Sequence, residues 1–149
     1  MDGWMDGWRM CGLVLAGQWG HWLSAALDFT PTLDNKWVPS QLIAGLENGL
    51  LDPNVSVLVG SNQDEGATFV YAAFNVAIPV PIFDLALKGI FGESGSKAVR
   101  AFYKNQTPGS QKADCREVLS AILTDYWFRC ASQKIATAAI KNGNKGCGF

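Results

Sequence analysis

The chain has 149 residues, 48% of them hydrophobic and 17% charged, with six tryptophans and eight phenylalanines. That is the length of one ordinary domain, apolar enough to build a core and too apolar for a disordered chain. Twelve basic residues against thirteen acidic ones leave a net charge of −1 with no run of one sign, so there is no electrostatic footprint for nucleic acid or an anionic membrane.

The chain opens on "MDGWMDGW", a tandem repeat followed by a short apolar run over 10–16. A secretory signal needs a basic first segment and a longer apolar one. Here Asp2 and Asp6 outweigh Arg9, and Gln18, Trp19 and His21 end the run, so residues 1–27 read as an atypical leader. No later apolar window approaches the ~20 residues of a transmembrane helix.

From 25 to 40 the chain reads as extended, with Pro31 and Pro39 and an Asp34-Asn35 turn signal. "QLIAGLENG" follows as a short helix that Ser40 can cap and Gly49 can close. Asp52-Pro53-Asn54 is a turn. "NVSVLVG", at about 54–60, is then a nearly continuous β-branched run, expected as a buried parallel strand with mostly helical flanks, an α/β arrangement. Such a strand needs partners on both sides, so the reading requires further strands or a larger sheet.

Pro79 and Pro81 bar a helix through that point, and "DLALKGIFG" and "SKAVRAFYKN" read as two short helices beyond it. The longest element is expected at about 111–142, which holds neither Gly nor Pro. Cys115, Val118, Leu119, Ile122, Leu123, Tyr126, Trp127 and Cys130 form its buried stripe, and Gly143 offers its C-terminal cap. Four cysteines without a CxxC pair argue against zinc, and no metal site is expected. The sequons at Asn54 and Asn105 matter only in a secreted chain, and Pro108 weakens the second.

The chemistry lies in "GSNQDEGATF" at 60–69, where the strand opens into an acidic pair, Asp64-Glu65. A carboxylate at the carboxyl end of a parallel strand sits where α/β sheets place their sites. In order along the chain, Phe29, Pro31 and Asp34 match a Phe-x-Pro-x-x-Asp stretch. Gly60, Asn62, Asp64, Glu65 and Gly66 match Gly-x-Asn-x-Asp-Glu-Gly, and Asp125, Phe128 and Cys130 match Asp-x-x-Phe-x-Cys-Pro, with Ala131 in place of the proline. This ordered set, over about 28–139, resembles the type-B carboxylesterase and cholinesterase family.

The resemblance implies a partial α/β-hydrolase fold over 28–149 and hydrolysis of a small-molecule ester through an acyl-serine intermediate, without a cofactor. It makes Glu65 the acid of a Ser-Glu-His triad, in which the acid fixes the tautomer of the imidazole and stabilises the imidazolium. Gly60 and Gly66 would let the backbone turn tightly around that carboxylate. Asp64 takes no such role.

Family order is Ser, Glu, His, yet no Gly-x-Ser-x-Gly occurs in the chain, and its one histidine, His21, precedes Glu65. "GESGS" at 92–96 lies downstream with no strand before it, and Ser94 or Ser96 reads as a helix cap. The chain alone is therefore expected to be inactive, an internal fragment or truncated product. A segment of a non-catalytic, cholinesterase-like adhesion protein is the alternative. The resemblance also makes Cys130 one half of a bridge to a cysteine nearer the C-terminus than Cys147. Without that partner, free buried thiols are expected. Compartment and oligomeric state are not set by these residues.

Overall fold

The structure, a computed structural model, describes residues 32–148. In chain order the elements are α1 (Leu42–Glu47), β1 (Val57–Val59), α2 (Glu65–Ala73), α3 (Val80–Phe102), α4 (Arg116–Leu123), a π-helical turn (Thr124–Arg129), α5 (Cys130–Lys141) and β2 (Gly146–Gly148). The chain is mostly helical. It divides into two compact units, one holding Asn62–Cys130 and the other, among the described residues, 32–61 with 131–148.

The first unit owns an apolar core. Val80, Phe83, Leu87 and Phe91 recur along α3 at the spacing of one helical face, and Val70 of α2 packs into the same cluster with Val118, Leu119, Ile122 and Leu123 of α4. Pro79 caps α3 and Pro81 stands in its first turn, where a missing amide costs nothing. The two helices expected here are joined at Gly92, whose φ of 68° and ψ of −178° are open to glycine and strained for any other residue. The first begins at Val80, ahead of Asp84. Neither Ser94 nor Ser96 is a cap. Ser96 is buried, and its hydroxyl donates to the Glu93 carbonyl at 3.0 Å.

The long helical tract runs over 116–141, with its expected stripe buried at Cys115, Val118, Leu119, Ile122 and Leu123. It starts later than the composition suggests because the chain before it is tied to the start of α3. The amides of Val80 and Cys115 donate to the carbonyls of Gln111 and Ile78 at 3.2 and 2.9 Å. Asp114 accepts from the Ile78 amide at 3.2 Å and is forked by the Arg116 guanidinium, which holds its carboxyl down at about 2.

The second unit is fastened by polar groups. Both helices described in it end in a left-handed glycine, Gly49 (φ 76°) and Gly143 (φ 80°). Each closes with the paired bonds of a Schellman motif, Gly49 to Leu46 and Leu50 to Gly45, and Gly143 to Ile140 and Asn144 to Ala139. The side chain of Asn142 then donates to the Leu46 carbonyl at 3.0 Å. That of Asn144 donates to the carbonyls of Asp52 and Val55 at 2.6 and 2.9 Å. The Asp52 turn forms as expected, its carboxylate accepting from the Asn54 amide at 2.8 Å. Asp34 likewise gathers the amides of Lys36, Trp37 and Val38 at 2.8–2.9 Å, and these bonds hold its carboxyl below the usual carboxylate range.

Two expectations fail in this unit. The strand is shorter than expected and is not buried, for Leu58 is 76% exposed. Its neighbour β2 pairs with it in parallel, Val57 opposite Gly146 and Val59 opposite Gly148. The Gly-Cys-Gly of β2 carries no strand propensity and is extended only because β1 offers it a ladder. Ser40 does not cap α1 either, since the cap is Gln41, with no side-chain bond.

Leu46, Ala138 and Ala139 are the buried hydrophobic residues described in this unit, while Trp37, Leu42, Leu50, Leu58 and Ile140 are each more than 60% exposed. With so little apolar burial, it should open locally at low free energy. Hydrogen exchange should therefore be much slower for amides in α3 and α4 than for those in α1 and β1. Equal protection in the two sets would contradict this reading.

Candidate functional site

Glu65 is the first residue of α2, and Asp64 is its cap. The acidic pair thus sits at a helix start, where backbone amides lack intrahelical acceptors and the dipole favours negative charge. The Glu65 carboxylate turns back along the chain. Its Oε1 accepts from the backbone amide of Asn62 at 2.9 Å and from the Asn62 side chain at 3.0 Å. These bonds close the Asn62–Glu65 loop just ahead of the helix. Oε2 makes no hydrogen bond among the described residues and can accept one from an N–H donor. Asp64 is exposed and its side chain caps nothing, while its carbonyl accepts from the Ala67 amide at 3.1 Å.

Gly66 does a different job from the one expected. Neither Gly60 nor Gly66 has a positive φ, and Gly66 is buried inside α2. A Cβ there would lie 2.3 Å from the Ser120 carbonyl oxygen and 2.9 Å from the Thr124 nitrogen, so only glycine lets α2 approach α4 this closely. The Gly66 amide donates to the Thr124 hydroxyl at 2.8 Å, and that hydroxyl donates to the Ser120 carbonyl at 2.8 Å. Thr124 is 1% exposed.

Thr124 opens the π-helical turn, in which the Cys130 amide reaches back to the Asp125 carbonyl. The Asp-x-x-Phe-x-Cys residues all lie in or beside this turn. Asp125 is buried, with the Tyr103 hydroxyl on one oxygen and the Arg129 guanidinium on the other. Burial first, and then the bond to Asp125, raise the Tyr103 phenol far above its ordinary value. Phe128 stacks on Phe69 of α2 at 6.0 Å, and Trp127 meets the same ring edge-on at 5.3 Å. The family resemblance marked Asp125 and Phe128, but the sequence carried no signal for Tyr103 or Thr124, whose roles exist only once α3 and α2 pack on this turn.

The remaining resemblance residues fall elsewhere. Asp34 organises its own loop, while His21, Phe29 and Pro31 lie outside the described residues. Of the cysteines expected to be free, Cys115 is, and burial pushes its thiol up. Cys130 is disulfide-bonded, so that expectation is corrected. Among the described residues no group of three metal-ligating side chains occurs, and no helix is long and apolar enough to cross a membrane.

Comparison with known proteins finds two partial likenesses, both to proteins of Dictyostelium discoideum. The chain is 35% identical to the Crystal protein over 109 residues, which is 72% of this chain and 19% of that protein. It is 25% identical to the cAMP-regulated D2 protein over 130 residues, 87% of this chain and 23% of that one. The chain thus spans about a fifth of the length of these relatives. No family model and no solved structure matches it.

Gly66→Ala should destabilise the first unit by ~3 kcal/mol, the upper range for overpacking, because the obstacle is backbone on a neighbouring helix. Chemical denaturation measures it, and a change under ~0.5 kcal/mol, ordinary for a surface site, would show that α2 is free to move away. Tyr103 supplies a pH test. Its folded-state value is raised above the ordinary 10, so its contribution to stability is complete below pH 10 and is lost as pH climbs beyond it. In an ultraviolet titration Tyr103 should ionise only as helical circular dichroism is lost, and Tyr103→Phe should remove that step. Ionisation of all three tyrosines with the helices intact would exclude the buried pairing.

Proposed function

We propose that this chain is a segment of a carboxylic ester hydrolase of the type-B carboxylesterase and cholinesterase family, in which Glu65 is the acid of a Ser-Glu-His triad. The observation that carries the reading is the Glu65 carboxylate itself. One oxygen is held twice by Asn62, and the other is unbonded among the described residues. An acid that orients an imidazole needs both features, a fixed carboxylate plane and a free acceptor. The ordered matches at Gly60, Asn62, Glu65, Gly66, Asp125, Phe128 and Cys130 support the family. Partial likeness to two much longer proteins supports reading the chain as one part of a larger one.

In the complete enzyme, the serine hydroxyl would attack the ester carbonyl and pass its proton to the imidazole. The alcohol leaves with that proton, and water then cleaves the acyl-serine by the same route. Glu65 would accept the N–H on the far side of the ring. At ~4 Å and an effective dielectric near 20, its attraction for the imidazolium is roughly 4 kcal/mol. That stabilisation arises only as the proton moves, so it belongs to the transition state.

In a complete enzyme containing this segment, Glu65→Gln should lower kcat by up to about 10⁴-fold, as the matching acid-to-amide change does in the serine-protease template, with KM nearly unchanged. The amide oxygen can still accept from Asn62, so the loop should hold its shape while the charge is lost. Asp64→Asn should cost far less, since that side chain makes no hydrogen bond at the helix start. Equal losses in the two variants, or a parental kcat for Glu65→Gln, would remove Glu65 from the triad.

A further inference from the structure

We propose that Thr124 is the positioning residue for Glu65. Through its hydroxyl, the π-helical turn would set where the first turn of α2, and with it the acid, stands. The inference rests on the reading of Glu65 as the triad acid and adds the group that holds it in place.

The geometry runs through one atom. Thr124 Oγ1 accepts from the Gly66 amide at 2.8 Å, and Gly66 is the residue next to Glu65. Amides in the first turn of a helix have no intrahelical acceptor, so this hydroxyl stands in for the missing carbonyl. A side chain 58 positions away in sequence thereby serves as the cap that neither Asp64 nor its neighbours supply to α2. The hydroxyl's own direction is fixed, because its proton is committed to the Ser120 carbonyl at 2.8 Å. Ser120 repeats the pattern one turn earlier, its hydroxyl donating to the Arg116 carbonyl at 2.7 Å.

The turn that carries Thr124 is anchored on its other side. Asp125, the next residue, is clamped by Tyr103 and Arg129. Behind the bond, the Ser120 oxygen and the Thr124 nitrogen crowd the place a Cβ on Gly66 would fill, so α2 cannot slide closer. The hydroxyl stops it drifting away. Glu65 therefore has two restraints, Asn62 on its carboxylate and Thr124 on the amide beside it. A threonine rather than a serine suits the task, since its branched side chain has fewer rotamers to lose.

Two variants separate the hydroxyl from the shape. Thr124→Val keeps the volume and removes the acceptor, while Thr124→Ser keeps the acceptor. In the full chain, NMR-detected exchange at the Gly66 amide should rise at least tenfold in Thr124→Val and stay near parental in Thr124→Ser. In the complete enzyme, kcat should fall about 10- to 100-fold in Thr124→Val, the scale of a sub-ångström to ~1 Å misplacement, with KM unchanged and recovery in Thr124→Ser. Unchanged Gly66 exchange in Thr124→Val would overturn the proposal at its first step. Faster exchange with parental kcat, alongside a collapse in Glu65→Gln, would overturn the positioning role and leave the acid assignment standing. A parental kcat in Glu65→Gln would instead defeat the acid assignment and the positioning role with it, whatever the exchange data show.

Discussion

The described fold turns on the place where α2 meets α4 without an intervening side chain. At Gly66 the two backbones come so near that a single methyl group would sit 2.3 Å from the Ser120 oxygen. Contacts of this kind are all-or-none, because a protein interior is packed as densely as an organic crystal and cannot give by half an ångström. The separation it imposes brings the Gly66 amide onto Thr124 and the ring of Phe69 onto Trp127 and Phe128. The helix that carries this glycine begins one residue earlier, at Glu65.

Each unit is stabilised internally by a different kind of force. Around α3 and α4, Phe83, Leu87, Phe91, Leu119 and Ile122 are at most 1% exposed, and each fully buried side chain of this size contributes roughly 1.5–3 kcal/mol. In the unit of β1 and β2 the fastening comes from the carboxamides of Asn142 and Asn144. Each such bond contributes only about 1 kcal/mol net, though leaving a buried carbonyl unpaired costs more. Asn144 is 7% exposed, and its Oδ1 finds no partner among the described residues. The proposed acid belongs to the unit with the apolar core, and a carboxylate that must keep an imidazole in one orientation needs that rigidity.

The polar network at the π-helical turn has a comparable logic. Asp125 is a charge taken largely out of water, which is costly unless both of its oxygens are occupied. Tyr103 and Arg129 occupy them. The widened turn allows Thr124, Asp125, Trp127 and Phe128 to serve four separate contacts within five residues.

Local signals in the sequence determined much of this protein. Helix ends at Gly49 and Gly143, the turns at Asp34 and Asp52 and the stripe of α4 all rest on neighbours a few residues apart, so spacing alone expresses them. The candidate acid was marked differently, by the resemblance of the Asp-Glu-Gly stretch and its companions to a family pattern. Tertiary structure alone decided that Gly66 is an approach point and not a turn glycine, that Thr124 and Tyr103 matter, that "GCG" is a strand and that Leu58 faces outward. In each case the deciding atom belongs to a segment distant in sequence: Thr124 is 58 positions from Gly66, and Asp125 is 22 from Tyr103. Periodicity records which face of an element is apolar, and it cannot record which backbone will be pressed against that face. That depends on how the chain closes on itself, where the space left at one residue is set by atoms of another.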